Sequence, residues 1–129
     1  MKFSFNPSEG LIVVPVKLSG PDTEIIVNLA IDTGATSTLI NWEIIEILGY
    51  NPAAIKERKR ISTASGVEFA PLVTMSAIKA MGWNKTHFPV LCHTLPSSII
   101  VDGLLGLDFF RGTILHIDLI LGEIESTPD

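Results

Sequence analysis

Asn28-Leu29-Ala30-Ile31-Asp32-Thr33-Gly34-Ala35-Thr36 carries a carboxylate at the end of an apolar run, with a glycine two positions beyond it. A lone carboxylate is costly to bury unless it is paired or protonated. Gly34 permits a tight turn and close approach of other backbone, and a threonine hydroxyl can tie such a turn by hydrogen bonds. The string therefore presents Asp32 on a rigid, solvent-poor loop. Upstream, Leu11 to Leu18 and Glu24 to Ile31 read as strands around a Ser19-Gly20-Pro21-Asp22 turn, a hairpin that delivers Asp32 at its tip. Read alone, Asp-Thr-Gly more often marks an ordinary loop with a solvated aspartate.

A second segment changes the balance. Asp102-Gly103-Leu104-Leu105-Gly106-Leu107-Asp108-Phe109-Phe110 places two apolar residues and a glycine between a strand-like run, Ile99 to Val101, and a helical turn, Leu107 to Arg111, that Gly112 ends. By itself Leu-Leu-Gly fits the end of a core strand. The order and separation of the two strings, however, resemble those of the retropepsin-like aspartic proteases. The resemblance runs from about Leu11 to Ile124 and takes in Ile117-Asp118-Leu119 near the end. It is nearer the cellular and bacterial branch, including Ddi-type proteases, than the viral one. Viral members commonly carry Arg-Asn or Arg-Asp after the motif glycine, where this chain has Leu107 and Asp108. Thr36 and Ser37 stand where viral members often have acidic residues. The viral inter-subunit ion pairs are therefore not carried over, and the subsites are expected to differ.

The resemblance implies an all-β fold, a closed β-barrel equivalent to one half of an acid protease, with one or two short helices and assembly as a homodimer. It implies a single domain over residues 1–129. It makes Asp32 the catalytic residue, with Thr33, Gly34 and Ala35 supporting its loop, and it makes Leu104, Leu105 and Gly106 the segment that threads a ψ-shaped loop beneath it. The hairpin around Ala64, Ser65 and Gly66 becomes a flap over a polypeptide substrate, although Ser65-Gly66 also fits a plain hairpin turn. The chain has one Asp-Thr-Gly, and Asp102, though followed by glycine, belongs to the other motif. The simplest completion of a two-carboxylate site is then a two-fold dimer in which Asp32 meets its own copy. Leu29, Ile31, Ile61, Val67 and Leu104 are candidates for apolar subsites.

The rest of the chain is also mainly β in character. Gly and Pro punctuate short runs of Val, Ile and Leu. Thr36 to Ile40 can extend, Asn41 resembles a helix N-cap, Ile44, Ile45 and Leu48 share a helical face, and Gly49 stops the helix. Ile61 to Val67 and Glu68 to Ala80 form a long hairpin, Gly82 turns the chain, and His87 to His93 is a further strand. Leu95 to Ser98 is a loop. Thr113 to Leu119 and Gly122 to Glu125 are strands.

Composition narrows the function classes. Of 129 residues 47% are hydrophobic and 18% charged, which opposes intrinsic disorder. A mean hydropathy of +0.42 is high for a soluble monomer, so apolar surface must be hidden, and a subunit interface is the natural place. Leu11 to Val16 and Ile114 to Leu121 fall short of the roughly 18 residues a membrane span needs, and the first residues lack the pattern of a signal peptide. The expectation is a cytoplasmic protein or a soluble domain of a larger one. A net charge of −5 argues against nucleic acid as a partner. Lys56, Arg58, Lys59 and Arg60 form one basic cluster, read as a solvated loop or strand entry.

Cys92 is the only cysteine, so no intrachain disulfide forms, and it reads as a small buried hydrophobe. His87, Cys92, His93 and His116 lack metal-ligand spacing, so neither metal nor cofactor is expected. Trp42 and Trp83 read as packing residues. Two other enzyme classes are poorly served. The Asp32 string also resembles a phosphate loop of actin-like ATPases and sugar kinases, but those folds need a second such loop and a much longer chain. No nucleophile-elbow string supports a Ser-His-Asp hydrolase. The stronger rival is a non-catalytic retropepsin-like module for dimerisation or peptide binding, which would have no need of paired carboxylates.

Overall fold

The computed structural model describes residues 1–63, 66–96 and 98–128. Ten strands and two short helices follow in the order β1 (Lys2–Ser4), β2 (Val13–Ser19), β3 (Glu24–Ile31), β4 (Leu39–Asn41), α1 (Trp42–Ile47), β5 (Arg58–Thr63), β6 (Gly66–Ala80), β7 (Trp83–His93), β8 (Gly103–Leu105), α2 (Leu107–Phe110), β9 (Thr113–Asp118) and β10 (Glu123–Pro128), with a single 3-10 turn at Pro52–Ala54.

The larger sheet runs β2-β3-β8-β4-β7-β6-β5, and β2 also pairs with β6. That extra pairing closes six strands into a barrel and leaves β5 as an outrigger on β6. Closure removes most of the unpaired strand edge that an open sheet would expose. β6 is long enough to serve three partners. Its first half pairs with β5, most of its length from Leu72 onward pairs with β7, and Ala77–Lys79 also pair with β2.

Alternation sets the inward faces. Val14, Val16 and Leu18 on β2 are fully buried, and in register with them Leu29 and Val27 on β3 point the same way. Ile40, Val73, Met75, Ile78, Val90, Leu105 and Phe109 complete a continuous core. β1, β10 and β9 form a separate antiparallel sheet whose Ile124 is buried against that core. Asp118 ends β9, and its carboxylate accepts the Ile120 and Leu121 N–H groups of the following turn. The Leu121 bond first, then that of Ile120, holds this carboxyl below the usual carboxylate range.

The all-β reading and the hairpin leading to Asp32 stand as expected, and β3 occupies the expected residues. Two local readings need correction, and that of Asn41 as N-cap stands without a side-chain bond. Ile99 to Val101 is not a strand, because the pairing run is Gly103–Leu105 and Ile100 lies 94% exposed. Asn41 sits at the N-cap of α1 but makes no side-chain capping bond. Its backbone is the end of β4, and its N–H donates to the Asp102 carbonyl. The strand expected from His87 begins at Trp83. Among the described residues no helix is long and apolar enough to cross a membrane.

Candidate active site

β3 runs straight into the Asp32 loop. The Asp32 N–H donates to the Leu105 carbonyl (3.0 Å), extending the parallel β3–β8 ladder by one residue, and Ile31 N–H reaches back to the Ile12 carbonyl (2.8 Å). The loop then closes on itself. Gly34 N–H donates to Asp32 Oδ1 (2.9 Å), and Ala35 N–H donates to the Asp32 carbonyl (3.1 Å). A Cβ at position 34 would stand 3.2 Å from that carboxylate oxygen. Asp32 is half-buried, whereas Thr33 and Gly34 lie at the surface. The carboxylate is thus oriented from one side by a backbone donor and displayed at an exposed turn.

Beneath the loop runs the second motif. β8 lies between β3 and β4, parallel to the first and antiparallel to the second. Leu105 is fully buried in the core. Gly106 passes so close to the Asp32 loop that a Cβ there would meet the Ser37 carbonyl carbon at 2.8 Å and the Ala35 oxygen at 2.9 Å. Leu107 N–H then donates to the Ala35 carbonyl (2.9 Å). Leu104, Leu105 and Gly106, the segment expected to thread a loop, thus lie on β8 and its continuation, against β3 and residues 35–37.

Three residues with no expected role hold this crossing together. Thr38 is fully buried; its hydroxyl donates to Asp108 Oδ1 (2.7 Å) and accepts from Gly106 N–H (3.1 Å). Asp108 also accepts the Thr38 N–H with both oxygens (3.0 Å each) and the Phe109 N–H (2.9 Å). Asp108 therefore acts as an intrachain clamp. Asp102 plays a similar part lower down, where Oδ2 accepts Asn28 N–H (2.9 Å) and its carbonyl accepts Asn41 N–H (2.9 Å). An aspartate within an apolar run was the available signal for Asp102 and Asp108; Thr38 offered none.

A groove of about 820 Å³ opens beside the loop. Ala35, Ser37 and Leu104 form part of its wall, and Lys59 and Ile61 of β5 face them. The β5–β6 hairpin that borders it pairs from Arg58↔Pro71 to Thr63↔Gly66. Gly66 opens β6 with φ of +121°, while Ala64 and Ser65, the rest of the expected flap tip, lie outside the described residues. Of the five apolar candidates, Ile61 and Leu104 line the groove. Leu29 does not, because it is a fully buried core residue. Val67 does not either; it sits opposite Ser62 in the hairpin register, on the face away from Ile61. Ile31 is half-buried against the core.

The other titratable groups are apart from the loop. Cys92 is buried, and desolvation, with a smaller contribution from the Glu46 charge, pushes its thiol up to about 12. His93 Nε2 pairs with Glu68 (3.0 Å). No three metal-ligating side chains converge among the described residues. Trp83 donates to Ser126 Oγ (3.0 Å) while its ring packs on the core.

A closed six-stranded barrel, an Asp-Thr-Gly turn at the end of its second strand and a Leu-Leu-Gly segment threaded beneath that turn define the retropepsin-like aspartic protease fold. Residues 14–109 match the family described as aspartyl protease, and the chain belongs to that family. Among solved structures it is similar to a retropepsin-like aspartic protease from Rickettsia conorii, at 18% identity and a TM-score of 0.75, over 99% of this chain and 89% of that one. No curated protein matches it.

Proposed function

We propose that this chain is an aspartic endopeptidase whose active site is completed by a second copy of itself. The observation that carries the reading is the Asp32 carboxylate, oriented by Gly34 N–H at a turn whose outer residues are exposed. Aspartic protease chemistry needs two carboxylates close enough to share one proton, and one chain supplies one such turn. Two-fold pairing of the exposed turns brings Asp32 against its partner's Asp32, with Thr33 of each copy locking the two loops together.

In the pair, like charges in contact do not both ionise. The ionised Asp32 takes a proton from a water, which attacks the scissile carbonyl. The protonated Asp32 donates to the carbonyl oxygen, and a carboxyl then protonates the leaving amine. Gly34 and Ala35 offer backbone groups to a peptide bound as an extended strand. The β5–β6 hairpin with Ala64, Ser65 and Gly66 at its tip closes over that strand and excludes water. Ile61 and Leu104 supply apolar contacts. Because the cycle needs one proton on the pair, cleavage is faster at mildly acidic than at alkaline pH.

The test is digestion of a complex peptide library by the wild type and Asp32→Asn, read by mass spectrometry at mildly acidic and neutral pH. Cuts made by the wild type and lost in Asp32→Asn are the expected result. Equal cutting by both proteins would sink the dyad. Peptide binding without cutting by either would point to a non-catalytic binding module.

A further inference from the structure

The basic run at the start of β5 is only partly a solvated surface. Neighbouring residues of a strand face opposite sides, and the cross-strand register puts Lys59 and Ile61 on one face, Arg58 and Arg60 on the other. Lys59 faces the groove, where Nζ donates to Ser37 Oγ at 2.7 Å. Ser37 in turn packs against Gly106, at the crossing beneath the Asp32 loop. A neutral hydroxyl does not compensate an ammonium charge. Among the described residues Lys59 has no carboxylate partner, and the ion pairs lie elsewhere. Glu68, the groove's one acidic side chain among the described residues, is already engaged by His93. The groove therefore holds one acid, hydrogen-bonded to His93, and two cations without a carboxylate partner among the described residues, Lys59 and Arg60, of which Lys59 shares the face of Ile61, in a protein whose net charge is −5.

From this imbalance we infer that Lys59 is a specificity-determining residue that selects peptides bearing an aspartate or glutamate at the position lying between Ser37 and β5. The inference rests on the peptidase reading of the same groove and adds to it a substrate class, acidic peptides. An incoming carboxylate takes the place of the Ser37 hydroxyl on Nζ, or shares Nζ with it, in a charge-assisted hydrogen bond. The stem of Lys59 and Ile61 cover the adjacent aliphatic part of the side chain.

The experiment uses blocked decapeptides built around one cleaved sequence, so that side chains carry the only carboxylates. Glu and Gln are exchanged at each position in turn. The Glu/Gln ratio of kcat/KM is measured for the wild type, Lys59→Ala, Lys59→Arg and Lys59→Glu, and the ratio of affinities is measured by fluorescence anisotropy with the same Lys59 variants in an Asp32→Asn background. At one position the wild type favours Glu by about fivefold, the scale of a partly exposed ion pair. The preference shrinks as salt is raised. Lys59→Ala abolishes it, Lys59→Arg retains it and Lys59→Glu reverses it in favour of Gln. A Glu/Gln ratio that Lys59→Glu leaves unchanged at every position overturns the inference, as does failure of every peptide to bind. The two readings fail separately: a wild type that cuts nothing ends the peptidase reading, while the anisotropy ratios still report on Lys59.

Discussion

Thr38 is uncharged and lies in no motif, yet its hydroxyl joins the two strings that decide the fold. It donates a hydrogen bond to Asp108 and accepts one from Gly106 N–H, inside the core. Thr38→Val keeps the shape and removes both bonds, leaving a buried N–H without a partner. The expected loss is about 1–3 kcal/mol of stability, read as a shift of the urea midpoint, and Thr38→Ser should recover most of it. Cys92 gives a prediction in pH. Its folded-state value of about 12 lies above the ordinary thiol value of 9.0. The contribution to stability is therefore complete below about pH 9 and is lost as pH rises from there towards 12, because the unfolded thiol ionises first. Denaturation midpoints followed through that window in the wild type and Cys92→Ala should diverge, with the wild type falling faster. Asp32 was legible because a charge that ends an apolar strand demands an explanation. Thr38 was not, because a buried hydroxyl looks like any other threonine until its partners, some 70 residues away, are in place.

At the level of elements, the glycine of β8 matters more than its leucines. β8 is squeezed between β3 and β4, and a Cβ on Gly103 would run into the Leu39 carbonyl oxygen, with Ile40 Cα and Leu29 Cδ2 each at 3.1 Å. The Leu39 oxygen and Ile40 Cα are backbone atoms, which cannot step aside cheaply. Gly103→Ala is expected to cost about 2–3 kcal/mol through overpacking, seen as a lower melting temperature. Equal melting of the two proteins would mean that the ladder relaxes around the added methyl. β3 could be placed from sequence because a turn bounds it on one side and Asp32 on the other. β1 could not, since three residues are too few to show a period. Ile99 to Val101 was misread for a physical reason: an apolar triplet satisfies a strand pattern, but the pairing partner needed at that point is the carboxylate of Asp102, which bonds Asn28 N–H. The long β6 was cut short at its start because nothing in the sequence says that one strand serves three neighbours.

At the scale of the molecule, the proposed site belongs to a pair of chains. The surface of one chain still carries large apolar side chains, among them Leu119, Ile120 and Leu121 on the β9–β10 turn, in keeping with the high mean hydropathy. Activity per chain is expected to fall on dilution, following the fraction of dimer measured by sedimentation at the same concentrations. Constant specific activity across a range in which the dimer dissociates would contradict the shared site. The barrel was legible as a class, from the order and spacing of two short strings. The pairing of copies was expected only from the resemblance and the single Asp-Thr-Gly, since residues that would meet across a symmetry axis leave no spacing in the chain.

The crossing of β8 beneath the Asp32 loop also has a consequence in time. Asn28 waits for Asp102, which lies 74 residues further on, and Asp32 waits for Leu105. Contacts of such long range form late and slowly. While the ribosome still holds the residues from Gly103 onward, the Asp32 turn has no floor and β3 and β4 have no strand between them. At that stage of synthesis the Asp32 turn lacks its Leu105 partner, so the proposed site takes shape only after translation has passed the second motif.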